Sequence, residues 1–136
     1  MAENQAYKIL LVDDEKSFCE VISFALEKSG FNIECFSDPK EALLKVIESK
    51  PDIILLDIAM PEMNGLEFLV HLKKDLGIKC PPVIILTNLK YTDDGQEINE
   101  NFIKSIGAAG IIHKSSDLES IIQKINEVIT YQKNNL

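Results

Sequence analysis

Three rows of four consecutive branched apolar residues constrain this chain more than anything else in it: Ile9-Leu10-Leu11-Val12, Ile53-Ile54-Leu55-Leu56 and Val83-Ile84-Ile85-Leu86. A strand sends successive side chains to opposite faces, so an unbroken apolar row suits a strand covered on both sides, as in a parallel sheet. The intervening stretches carry helical spacing instead. Phe18, Val21, Ile22, Ala25 and Leu26 form one inward stripe, stopped at Gly30. Residues 32–36 alternate as a second strand. Asp38-Pro39 reads as a cap followed by a first-turn proline, opening a helix with Ala42, Leu43, Val46 and Ile47 inward.

Further along, Leu66, Leu69, Leu72 and Leu76 share a face, and Pro81-Pro82 break the helix before the third row. Ile98, Phe102, Ile103 and Ile106 make a shorter stripe. Ile111-Ile112 form a stubby strand closed by His113-Lys114. Ser115-Ser116-Asp117 cap a last helix with Leu118, Ile121, Ile122, Ile125, Val128 and Ile129 inward. Strand then helix, five times over with short connections, predicts an α/β fold: a three-layer, doubly wound parallel sheet. Right-handed crossovers then put every strand end on one edge, where the ligand crevice of such sheets lies.

Length and composition narrow the rest. A chain of 136 residues is one domain by size, and 26% charged residues suit an ordinary soluble protein. We read 7–131 as the domain, with short tails at 1–6 and 132–136. No apolar run approaches the ~20 residues of a membrane span, and the first residues have no signal-peptide pattern, so a cytoplasmic protein is expected. A net charge of −8 argues against nucleic-acid binding and suits a protein that holds a cation or meets basic partners. Cys19, Cys35 and Cys80 are widely spaced among apolar neighbours, which predicts reduced, half-buried thiols and no zinc site.

The chemistry sits at the strand ends. The first strand closes on Asp13 and Asp14, the third on Asp57, the fourth on Thr87 and the fifth on Lys114. Each has a structural alternative: Asp14 as a helix cap, Thr87 bonded to its own loop, Lys114 solvated. Their coincidence at separate strand ends favours one crevice. Carboxylates crowded there repel, by about 4 kcal/mol per pair at 4 Å and an effective dielectric of 20. A hard divalent cation, Mg²⁺, relieves this. Asp57 is then the candidate nucleophile toward phosphorus, and Thr87 and Lys114 are partners for the oxygens of an acyl phosphate.

Leu11-Val12-Asp13-Asp14-Glu15, the run from Leu55 through Asp57 and Met60-Pro61 to Gly65, and Leu86-Thr87, Gly107-Ala108 and Lys114 closely resemble the receiver domain of two-component response regulators. The resemblance spans nearly the whole chain, from about Tyr7 to Tyr131. It implies a CheY-like, flavodoxin-like sheet of order 2-1-3-4-5 with five helices. It also implies that Asp57 accepts phosphate from a sensor histidine kinase or a histidine phosphotransfer protein. In this family Asp14, Asp57 and the backbone carbonyl of Ala59 would bind Mg²⁺ directly, Asp13 through water, and Thr87 and Lys114 would sense the phosphate.

The chain departs from the family at three places. Ile111 stands where an aromatic ring usually swings inward, so the readout is expected to pass through backbone shifts near the fourth helix; Tyr91 reads as an exposed loop tyrosine. Ser115 stands where proline usually follows the lysine. A cis bond there would cost ~2.5–4 kcal/mol, against roughly 0.5–1 before proline, yet the lysine's need to reach phosphate favours cis. Asn88 replaces a small residue, and residues 90–95 lengthen the next loop, predicting a mobile or reshaped segment and an unusual partner surface. His71 and His113 read as surface residues. In the 60–65 turn, proline fixes the bend and Gly65 frees the backbone before its helix.

The resulting reading is a stand-alone receiver, not an enzyme, signalling through protein contacts to a downstream protein that the sequence does not name. No nucleic acid or membrane is involved, and the chain is a monomer or a weak phosphorylation-dependent dimer. The alternatives are a pseudo-receiver docking module and an aspartyl-nucleophile phosphohydrolase; the second lacks a proton-donating side chain at Ala59.

Overall fold

The computed structural model describes residues 6–59 and 65–134. The expected alternation is present: β1 (Lys8–Val12), α1 (Lys16–Lys28), β2 (Asn32–Phe36), α2 (Pro39–Ser49), β3 (Ile53–Asp57), α3 (Gly65–Leu76), β4 (Val83–Thr87), α4 (Glu100–Ser105), β5 (Gly110–His113) and α5 (Leu118–Asn134). The strands pair in parallel in the order β2-β1-β3-β4-β5, the sheet expected from sequence. Helix α5 runs three residues beyond the boundary expected at 131. Among the described residues, no helix is long and apolar enough to cross a membrane.

The apolar rows divide their side chains between two layers. Leu10, Val12, Ile54, Leu56, Val83 and Ile85 pack under α2, α3 and α4, against Val46, Phe68, Leu72 and Phe102. Ile9, Leu11, Ile53, Leu55, Ile84 and Leu86 pack under α1 and α5, against Ile22, Leu26, Ile121 and Ile125. Each such side chain contributes about 1.5–3 kcal/mol by leaving water. Strands β3 and β4 are buried along their whole length, which is why they carry no polar residue before Asp57 and Thr87.

The helices bury narrower stripes than the sequence suggested. Cys19, Ile22 and Leu26 are buried on α1, whereas Val21 is exposed. Ile47 and Leu118, also expected inward, are exposed, and Phe68, not expected, lies fully inside. A short helix resting on a flat sheet touches it along one line, so residues one position off that line turn outward. The predicted stops and caps are as expected. Gly30 ends α1 at a φ of 94°, Asp38 accepts the Lys40 N–H with Pro39 in the first turn, and Asp117 accepts the Ser120 N–H at α5.

Three expectations are corrected or made specific. Cys19 and Cys35 are joined as a disulfide between α1 and β2, their Cα atoms 6.3 Å apart, while Cys80 is free. Sequence spacing hid this pair because the α1 crossover folds back beside β2 and brings positions 16 apart within bridging reach. Among the described residues no peptide bond is cis, so Lys114-Ser115 is trans; without the proline ring, the discount that makes cis affordable is missing. Residues 90–98 take the reshaped form. They double back with an antiparallel bridge between Tyr91 and Glu97, closed by Thr92 N–H to Gln96 O at 2.8 Å and Ile98 N–H to Lys90 O at 2.8 Å. Tyr91 is exposed there, and His71 and His113 are exposed too.

Candidate functional site

Register sets the site. Val12 pairs with Leu56, so the next residues, Asp13 and Asp57, stand side by side at the carboxyl edge. Both continue the strand face that carries Ile9 and Leu11, and Ile53 and Leu55, toward α1 and α5. Asp13 is fully buried and Asp57 is 3% exposed. Asp14 is exposed beside them, and the three carboxylates offer oxygens within 4.8 Å of one another.

Local hydrogen bonds fix each carboxylate. Asp13 Oδ1 accepts the Glu15 N–H at 2.9 Å, and Asp57 Oδ1 accepts the Ala59 N–H at 3.0 Å. Gly65 closes the β3 side through its N–H to Ile58 O at 3.3 Å. A Cβ on Gly65 would lie 2.5 Å from Asp57 O and 2.7 Å from Ile58 Cα. Glycine is needed there for space rather than for the backbone freedom expected from sequence. The remainder of that expected turn, residues 60–64, lies outside the described residues.

Lys114 enters from β5. Its Nζ lies 2.8 Å from Asp13 Oδ2, 3.0 Å from Glu15 Oε1 and 3.4 Å from Asp57 Oδ2. The Asp13 contact is the shortest of the three and pairs the ammonium with a fully buried carboxylate. The Phe18 ring centroid is 5.0 Å from the same ammonium. Burial opposes the Lys114 charge, but the contacts with Asp13 and Glu15 and the nearby Asp57 outweigh it and hold its pKa above the usual lysine value. Burial is also the largest influence on Asp57 and raises its pKa to about 6. The Ala59 N–H pulls it down, Asp13 pushes it further up, and Lys114 offsets part of the rise.

Thr87 is buried at the end of β4 and pairs with His113 across β5. Its hydroxyl accepts the Leu89 N–H at 2.8 Å, the loop bond weighed as its structural alternative. Its carbonyl accepts the Lys114 N–H at 3.3 Å, so the hydroxyl and the ammonium sit on adjacent, linked strand ends. The expected residues Asp13, Asp14, Asp57 and Lys114 are therefore brought together, with Thr87 on the neighbouring strand end and Ala59 held to Asp57 by its amide. Sequence reasoning missed Glu15 and Phe18 as lysine partners. It also missed that Asn88 Oδ1 accepts the Ser115 N–H at 3.0 Å. Glu15 next to the acidic pair was the available signal; nothing in sequence joined Asn88 to Ser115.

The donor set fits a hard divalent cation: three carboxylates with oxygens within 4.8 Å of one another, two of them buried. A parallel sheet presenting buried carboxylates and an ammonium at its carboxyl edge defines an acidic pocket of the doubly wound class. The family model for the response regulator receiver domain matches residues 9–126, and the chain belongs to that family. It is similar to the Vibrio cholerae chemotaxis protein CheY4, with a TM-score of 0.79 and 28% identity over 91% of this chain and 99% of that one. A CheY-like receiver domain protein from Methanospirillum hungatei JF-1 gives a TM-score of 0.83 at 25% identity, covering 97% of this chain and all of that one (100%). The N-terminal domain of a response regulator/sensory box/GGDEF 3-domain protein from Carboxydothermus hydrogenoformans gives 0.75 at 27% identity, covering 94% and 98%. A phosphoacceptor role in two-component signalling follows from that membership.

Proposed function

We propose that this chain is a Mg²⁺-dependent phosphorylation switch in which Asp57 accepts a phosphoryl group from a phosphohistidine. The donor is a sensor histidine kinase or a histidine phosphotransfer protein. The observation that carries the reading is the Lys114 ammonium, held 3.4 Å from a buried strand-end carboxylate beside two further aspartates. The Ala59 amide occupies Asp57 Oδ1, which leaves Oδ2, the oxygen facing Lys114, to attack phosphorus. The new O–P bond forms as the P–N bond to the donor imidazole breaks, and the electron pair stays on that nitrogen. Asp14, Asp57 and the Ala59 carbonyl would hold Mg²⁺ directly and Asp13 through water. When bound, the ion neutralises phosphoryl charge.

Lys114 and Thr87 then partner the acyl phosphate's oxygens. The Thr87 hydroxyl accepts the Leu89 N–H and keeps its own proton to donate to a phosphate oxygen, so its recruitment draws on the start of the β4–α4 loop. Output passes by protein contacts through that loop, since Ile111 supplies no ring and lies half-buried in the apolar layer. A groove of about 410 Å³ between α1 and α5 opens beside the ammonium, with exposed Val21 and Leu118 in its lining, and offers a donor protein apolar contact close to Asp57. Turnover of a phosphomonoester is not favoured, because Ala59 presents a methyl group where a hydrolase would need an acid.

Incubation with phosphoramidate or acetyl phosphate plus Mg²⁺, followed by intact mass, tests the reading. An adduct of about 80 Da that is absent from Asp57→Asn supports it. No adduct with either donor leaves a docking module without a switch.

A further inference from the structure

Two contacts tie the loop after β4 to the loop after β5. The first is the Lys114 N–H to the Thr87 carbonyl, at 3.3 Å. The second is the Ser115 N–H to Asn88 Oδ1, at 3.0 Å across 27 residues of sequence. The donors are consecutive residues, and so are the acceptors. The second contact exists because position 115 keeps an amide proton and position 88 carries a side-chain carbonyl; a proline at the one or an alanine at the other would abolish it. Asn88 and Ser115 are both exposed, so water could satisfy either group, and the bond adds little to the core. What it does fix is the peptide that leaves Lys114, and with it the direction from which a long, flexible side chain reaches Asp57.

We propose that Asn88 is a positioning residue for Lys114, locking the Lys114-Ser115 peptide to the loop that Thr87 controls. The inference rests on the phosphoacceptor reading and deepens it. Lys114 has two backbone anchors, its own N–H and that of its successor, and both end on residues 87 and 88. When the Thr87 hydroxyl turns to phosphate and draws the Leu89 N–H bonded to it along, residue 88, between the two, moves with them and carries Ser115 along. The threonine and the lysine therefore engage the phosphoryl group together rather than independently.

The test is the rate of phosphate addition from phosphoramidate with Mg²⁺ in Asn88→Ala, Asn88→Asp, Ser115→Pro and the Asn88→Ala/Ser115→Pro double variant. Asn88→Ala is expected to slow addition about three- to tenfold, the scale of one lost hydrogen bond, with Mg²⁺ affinity unchanged because no carboxylate is touched. Asn88→Asp keeps an acceptor oxygen and is expected to restore the rate to within about twofold. In the Ser115→Pro background the donor is gone, so Asn88→Ala has no further effect. Amide exchange at Ser115 is expected to quicken in Asn88→Ala while β5 stays protected, and the loss in Asn88→Ala with rescue in Asn88→Asp decides the case even if the proline variants fail to fold. Equal rates in wild type and Asn88→Ala overturn the inference whatever Ser115 exchange shows, as does an equal slowing by Asn88→Ala in both backgrounds. A wild-type chain that gains no phosphate overturns the phosphoacceptor reading instead, whatever Ser115 exchange shows.

Discussion

The ammonium of Lys114 sits 3.0 Å from Glu15 Oε1, nearer to this side chain than to Asp57 Oδ2 at 3.4 Å. The lysine thus rests on a carboxylate that is itself largely in water, its side chain 60% exposed. With the Glu15 carboxylate this open to water the pair is well screened, so little is lost by breaking it. On the proposed function, Glu15 competes with an incoming phosphoryl group for the same ammonium. Glu15→Gln is expected to speed phosphate addition from phosphoramidate about two- to fivefold at low ionic strength, and the gain should shrink toward nothing at 1 M salt, where screening is strong. Rates measured by intact mass across a salt series check this; an unchanged or slower rate at low salt refutes it.

Lys114 also brings the one positive charge that the structure places against these carboxylates among the described residues. Its Nζ is 2.8 Å from the fully buried Asp13 carboxylate, and its own side chain is 11% exposed. Replacing it with an apolar residue of similar length leaves buried carboxylates facing one another without a positive charge. Lys114→Met is expected to lower stability by about 2 kcal/mol in the absence of divalent ions, less than for a fully sealed pair because Glu15 and Asp14 reach water. The same variant should bind Mg²⁺ several-fold more tightly, since the ion no longer meets a resident ammonium. Midpoints of thermal unfolding across a Mg²⁺ titration read both effects, because a ligand at ten times its Kd adds about 1.4 kcal/mol.

How much of this was legible beforehand depended on the range of the interaction. Leu55, Leu56 and Asp57 spelled out a doubly covered strand ending in a carboxylate, because that pattern is written within one element. The convergence of Asp13, Asp57 and Lys114 followed from handedness, since parallel strands share one carboxyl edge. Val21 and Ile22 looked equivalent in sequence, yet Ile22 is buried and Val21 exposed, because the line of contact between helix and sheet is set by packing, not by spacing alone. The Cys19–Cys35 bridge, the Glu15 and Phe18 contacts to Lys114, and the Asn88–Ser115 bond all join different elements. No periodicity encodes a contact of that kind.

Burial raises the pKa of Asp57 to about 6, which ties stability to pH. Its ordinary value is 3.8, so between about pH 4 and pH 6 the folded chain holds a proton that the unfolded chain has lost. Stability therefore falls as pH rises through that window, and above it the ionised Asp57 is a standing cost of a few kcal/mol at most. Asp57→Asn removes that charge. In Mg²⁺-free buffer the variant should be more stable than wild type at pH 7.5, by less at pH 5, and by nothing near pH 4. Urea unfolding at these three values checks the sign; a gain that grows as pH falls contradicts it.

Gly65 controls the position of Asp57 from the far side of the β3 turn. Any Cβ there would stand 2.5 Å from the Asp57 carbonyl oxygen, 2.7 Å from Ile58 Cα and 2.9 Å from Ile58 Cγ2. The two nearest atoms are backbone, which cannot rotate away as a side chain would. Relief must come from moving either the start of α3 or the end of β3. The first loosens the Phe68 and Leu69 contacts with the sheet, and the second shifts the Asp57 carboxylate relative to Lys114 and Asp13. Gly65→Ala is expected to cost about 1–3 kcal/mol, the range of an overpacked core. It should also slow phosphate addition by more than tenfold, because small displacements of a reacting group lower rates steeply. Urea unfolding and the phosphoramidate assay, run on the same preparation below its unfolding midpoint, separate the two effects. A variant as stable and as reactive as wild type would mean that the approach of α3 to β3 does not set the nucleophile.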